Sequence, residues 1–110
     1  MTMRKVDEKW LHDNGWMKTV DETEVVESNA LYTTKRRHVV YEYRPNNHSV
    51  ARIDHTIHTS RFIRDNKIRR QSNYYLFHAF NAKSGFHVEN RISLRRFKVC
   101  HIVSAIDIIS

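Results

Sequence analysis

The chain has one cysteine, one proline and two glycines among 110 residues. Cys100 has no partner for an internal disulfide, and its apolar, β-branched surroundings suit a buried, inert thiol. A reducing compartment, and so a cytoplasmic location, is expected. The scarcity of Gly and Pro removes any linker-like segment, and there is no repeat or low-complexity run. The length then suits one domain, 1–110, with one modest core. No stretch reaches the roughly 18 apolar residues of a membrane span. Met1 to Asn14 carries charges of both signs without the apolar run of a secretory signal. No segment is an amphipathic helix with cations along one side, so no membrane partner is expected. With 40% apolar residues the chain is too rich in Ile, Val and aromatics for disorder, despite a net charge of +7. A Gly-rich phosphate loop is missing, and Cys100 and the serines lack the local settings that activate a nucleophile. The chain therefore reads as non-enzymatic and without a cofactor.

Acids are also scarce where cations are dense. Residues 31–98 hold fifteen Lys and Arg against four Asp and Glu, a net +11, whereas residues 1–30 are net −3 and residues 99–110 net −1. Ten of the twelve aromatic residues share the basic block, which sets flat rings beside the cations. A field of one sign chooses partners, and cations interleaved with aromatics make nucleic acid, RNA or DNA, the first polyanion to consider. The cations form three clusters: Lys35, Arg36 and Arg37; Arg61, Arg64, Lys67, Arg69 and Arg70; and Arg95, Arg96 and Lys98. Arg outnumbers Lys in the block, and Arg is the cation that grips phosphate bidentately and stacks on bases. Tyr74 and Tyr75 follow the richest run, where one ring can face the core and the other a base. These thirteen side chains are the expected nucleic-acid-binding set. The plainer alternative is a solvated face, although such surfaces ordinarily mix both signs.

The first element reads as a helix capped by Thr2, with Met3, Val6 and Trp10 on one face. Asn14-Gly15 stops it, and Trp16 folds back onto Leu11. The acidic segment Asp21 to Glu27 reads as an edge strand or loop. Arg36 to Arg44 and Val50 to His58 alternate, with Val39, Tyr41 and Tyr43 facing Ala51, Ile53, His55 and Ile57 across a turn at Pro45 to Ser49. A five-residue loop pairs Tyr43 with Ala51, Tyr41 with Ile53 and Val39 with His55, and sets Glu42 opposite Arg52. A four-residue loop mixes the faces. Residues 59–71 show neither apolar period and read as an exposed basic loop or a short helix begun by Thr59 or Ser60. Asn73 to Phe80 is apolar all round at either period, and its aromatics favour a buried strand over a buried helix. From Phe86 to Ile109 the β-branched content favours strands, with Val99 to Ile109 as a core strand, although Val88, Ile92, Val99 and Ile106 can also be strung along a helix. The resulting expectation is a small α+β domain: an N-terminal helix packed on an antiparallel sheet that contains the 36–58 hairpin.

Six of the eight histidines lie in the basic block. The run Asp54 to His58, with His78 or His87, suggests a metal site, but strand alternation sends His55 to the face opposite Asp54 and His58. No metal is therefore expected. The Asp54-His55 pair resembles the start of an HNH-type nuclease motif, in which the His activates water and a downstream Asn and His complete a metal site. The resemblance covers two residues. The Pro and Gly signals that follow the pair are missing, and Asn73 and His78 do not match the spacing, so a His-dependent metal nuclease ranks behind two binding readings. The first is a non-enzymatic nucleic-acid binder working through phosphate contacts. The second is a small phage-type inhibitor or adaptor that docks on an acidic protein or nucleoprotein enzyme, for which an apolar anchor at the centre of the patch is needed. Either can be an oligomer.

Overall fold

A computed structural model of the protein describes residues 5–93 and 98–110; of residues 90–93 it describes the backbone alone. The elements in chain order are α1 (Glu8–Asp13), β1 (Met17–Ser28), β2 (Tyr32–Asn46), β3 (Ser49–Phe62), β4 (Ile68–Asn81), β5 (His87–Ser93) and α2 (Val99–Ile109). The strands form one antiparallel meander in the order β1-β2-β3-β4-β5. This corrects the expected α+β class. Strands take 61% and helices 17%, so the fold is mostly β, and a second helix, α2, stands where a core strand was expected. No helix among the described residues is long and apolar enough to cross a membrane.

The central hairpin has the register that alternation dictates. Tyr43 faces Ala51, Tyr41 faces Ile53, Val39 faces His55 and Glu42 faces Arg52. The turn itself is tighter than the five-residue loop. Asn46 pairs with Ser49, and the ladder is irregular between Tyr43 and Asn46. Pro45 lies in that irregular stretch, where its missing N–H costs no ladder bond. The acidic segment lies within β1, the edge strand beside β2.

The N-terminal helix begins later than Thr2, which lies outside the described residues together with Met3. Asp7 is the cap, accepting from the Trp10 N–H at 2.7 Å. Val6 before the cap and Leu11 in the second turn share the buried cluster, as in a hydrophobic staple. Gly15, at φ +83°, closes the helix. Its N–H donates to the His12 carbonyl and that of Trp16 to the Leu11 carbonyl, a Schellman pair that satisfies two terminal acceptors. Trp16 is thereby folded back and stacks on Tyr43, with ring centroids 5.5 Å apart.

The segment 99–109 is helical because its buried residues, Val99, Ile102 and Ile109, recur at helical spacing while Val103 and Ile108 are exposed. Its β-branched side chains are weak helix formers, and packing on the sheet overrides that preference. At its start the Lys98 N–H donates to His101 Nδ1, the place a Glu or Gln takes in a capping box. At its end the Ile109 carbonyl accepts from the Ser49 hydroxyl and from Asn81 Nδ2, which ties the helix to the turns at one end of the sheet.

Both helices lie on one face, over Val39, Tyr41, Ala51, Ile53, Tyr75, Phe77 and Ala79. The molecule is 52 Å long. The long strands run on past this core into a part of the sheet where residues 61–72 are all exposed. The segment 59–71, read as a loop or short helix, is instead the far end of β3, a turn and the start of β4. Its lack of an apolar period reflects strands with neither face covered.

Replacing Ile102 or Ile109 with Ala should each cost about 2–5 kcal/mol in urea unfolding, and Ile108→Ala about 0.5 kcal/mol or less. A strand would put Ile102 and Ile108 on one face, so equal losses at both would overturn the helix.

Candidate nucleic-acid interface

Local sequence sets where each cation points. On β2, Lys35 and Arg37 take the face that carries Val39, and Arg36 takes the other. β1 then brings acids to two of the three. Arg37 makes a two-point contact with Asp21, Nε to Oδ1 at 2.8 Å and a terminal nitrogen to Oδ2 at 2.6 Å, and Arg36 pairs with Glu24. The Arg37 hydrogen bond, with help from Lys18, holds the Asp21 carboxyl down at about 2. The acidic segment of β1 lies along β2 and neutralises part of the first cluster.

The second cluster escapes this. Arg61, Arg64, Lys67, Arg69 and Arg70 sit around the β3–β4 turn and on the two strands that meet there, at the end of the sheet farthest from the helices. Arg61 donates to the Asn66 carbonyl and Arg69 lies over the Tyr32 ring at 4.1 Å. Among the described residues none of the five, nor Lys35, has a carboxylate partner. The turn is shaped by Asn66 at φ 60° and by Asp65, whose side chain accepts from the Lys67 N–H. In the third cluster, Arg95 and Arg96 lie outside the described residues. Lys98 opens α2 on the helical face, away from the turn.

The two tyrosines divide. Tyr75 is 5% exposed and stacks on His55 at 4.3 Å within the core, where burial pushes its hydroxyl up to about 12. It cannot stack on a base. Tyr74 is half-buried and lines a shallow depression on the open face with Glu22, Glu24, Arg36, His38 and Thr56. The aromatic that the sequence reading passed over is Phe62. It is 41% exposed beside Leu31, Ile63 and Ile68, which are also exposed. Its signal was its place between Arg61 and Arg64, within a segment unable to bury a face.

The open face also carries a polar knot. Buried Asp54 accepts from Arg52 Nε and a terminal Arg52 nitrogen at 3.0 Å each and meets His38 Nε2 at 2.9 Å, with His78 Nε2 at 3.4 Å. His78 in turn converges with His87 and Glu89, which β5 brings alongside β4. His55 lies on the other face, where its Nε2 is 3.4 Å from Asn73 Oδ1. The HNH-like pair is therefore split between the two sides of the sheet, and Asn73 serves the core histidine.

Burial holds the His55 pKa below its ordinary value, although the Asn73 contact opposes this. The unfolded chain then binds the proton more readily. Stability from this residue is complete above pH ~6.5 and is lost as pH falls from there toward the depressed folded value. The unfolding midpoint in urea should drop between pH 7.5 and pH 5 more steeply for the parent chain than for His55→Gln; identical slopes would refute a neutral, half-buried imidazole. Compared with models of protein families, with curated proteins and with solved structures, the chain shows no significant similarity to any.

Proposed function

We propose that the protein binds nucleic acid, without enzymatic activity, through the phosphate backbone at the β3–β4 turn. The observation that carries this reading is the contrast between two clusters: Arg36 and Arg37 are matched by carboxylates of β1, whereas Lys35, Arg61, Arg64, Lys67, Arg69 and Arg70 are matched by none among the described residues. Six exposed cations on both faces and the tip of one sheet end repel one another unless a polyanion sits among them. Phosphates satisfy them, and each one neutralised releases a counterion. Phe62 offers the exposed ring for stacking in place of Tyr75. The half-buried lone thiol, Cys100, supports a cytoplasmic setting.

A second reading has its own observation. Leu31, Phe62, Ile63 and Ile68 are all exposed at the same end of the sheet as these cations, and an apolar anchor within a charged rim is what docking on an acidic protein requires. One titration separates the two.

Affinity for labelled single-stranded and duplex RNA and DNA should fall at least tenfold between ~50 and ~200 mM salt. No binding to any of the four at the lower salt overturns the nucleic-acid reading in favour of protein docking, and a flat salt response overturns the phosphate contacts. Changing Arg64, Lys67 and Arg70 together to Gln should weaken binding tenfold or more while costing the fold less than ~1 kcal/mol, because among the described residues these side chains are exposed and make no hydrogen bond or ion pair. Arg69 is left in place because it packs on Tyr32. The pair Glu24→Gln and Glu27→Gln should bind equally or more tightly, since it releases Arg36.

A further inference from the structure

We propose that His78, His87 and Glu89 form a binding site for a divalent transition metal of the zinc type on the open face of the sheet, with Asp54 orienting His78. The sheet's own geometry builds this site. His87 and Glu89 stand two apart on β5 and so share a face, and His78 on β4 lies directly opposite Glu89. Their ligand atoms all fall within 4.8 Å of one another, and His78 Nδ1 is 3.7 Å from Glu89 Oε2. Two atoms about 2.1 Å from one zinc ion in tetrahedral array are about 3.4 Å apart. His87 and Glu89 are exposed, and torsion of their side chains closes the difference.

The surrounding groups favour a metal over a chance meeting. Asp54 Oδ2 lies 3.4 Å from His78 Nε2, which favours the tautomer protonated at Nε2 and leaves the Nδ1 lone pair on the side of Glu89. A carboxylate behind a ligating imidazole is the usual means of fixing its tautomer. Arg52 stands opposite His78 across β3 and β4, and its charge is already taken by two hydrogen bonds to Asp54. Two imidazoles with one carboxylate suit zinc, cobalt, nickel or copper(II), while calcium and magnesium seek all-oxygen cages. Three protein ligands leave one position open to solvent. The expectation of no metal rested on the divergence of His55 from His58. That divergence stands, but the ligands come from β4 and β5.

The test is calorimetric titration of chelator-treated full-length chain with zinc chloride at pH 7.5, alongside cobalt uptake followed by visible absorption. One zinc per chain is expected, with the intense absorption of tetrahedral cobalt. His87→Ala with Glu89→Gln should weaken binding at least tenfold, Asp54→Asn by tenfold or more, and His48→Ala, in the exposed β2–β3 turn, not at all. Urea midpoints matching the metal-free parent show that a loss is not unfolding. If Asp54→Asn does not fold, the exposed positions 87 and 89 carry the test. No zinc uptake, or uptake unchanged by the double variant, overturns the site; undiminished binding by folded Asp54→Asn overturns the role of Asp54.

Discussion

The register of β3 between β2 and β4 is the constraint from which the other features follow. Along this strand Ala51, Ile53 and His55 go to the helices, and Arg52, Asp54 and Thr56 to the open side. A slip of one residue would exchange the sets, exposing Ile53 and burying Arg52 and Asp54 among apolar side chains with no partner for their charge. The Arg52–Glu42 juxtaposition and the Tyr41–Ile53 pair on the opposite face both select the same alignment. Because the two neighbours are long and antiparallel, that one alignment also fixes where the turns fall, and hence where the cations of the β3–β4 turn are presented.

Cover is the second constraint. Two helices of six and eleven residues cannot blanket strands of fourteen and fifteen. They occupy the end where Ser49 and Asn81 hold the last carbonyl of α2, and the other end is left to solvent. The molecule is thus divided lengthwise: packing is concentrated at one end, and charge and apolar tip residues at the other. Substitutions at the turn can alter recognition with little consequence for the core.

How much of this was legible in the sequence differs by element. The register of the 36–58 hairpin, though not its tighter turn, could be read to the residue because one of its faces is buried, so alternation and cross-strand charge agree. The strands on either side of the β3–β4 turn were not legible as strands, since exposure of both faces erases the period-2 signal. α2 misled because Val, Ile and Ile at 99, 102 and 109 speak for a strand in propensity and for a helix in spacing, and only the partner surface decides. In the candidate interface the exposure expected of 59–71 holds from 61 to 71 but not at buried Ser60, whereas the choice between Tyr74 and Tyr75 required the register of β4. The matching of Arg36 and Arg37 by Glu24 and Asp21 required knowing that β1 pairs with β2. The convergence of His78, His87 and Glu89 likewise depends on a long-range pairing that no local pattern announces.

The acids of β1 have a consequence for assembly. An edge strand offers a row of backbone groups to any other strand, including the same strand of a second molecule. Here Asp21, Glu22, Glu24 and Glu27 line that row, and among the described residues arginines engage Asp21 and Glu24 alone. Two copies meeting β1 to β1 would align carboxylate against carboxylate with the intervening water removed. The same strand that quiets part of the basic surface therefore also resists the growth of the sheet into a fibre along that side.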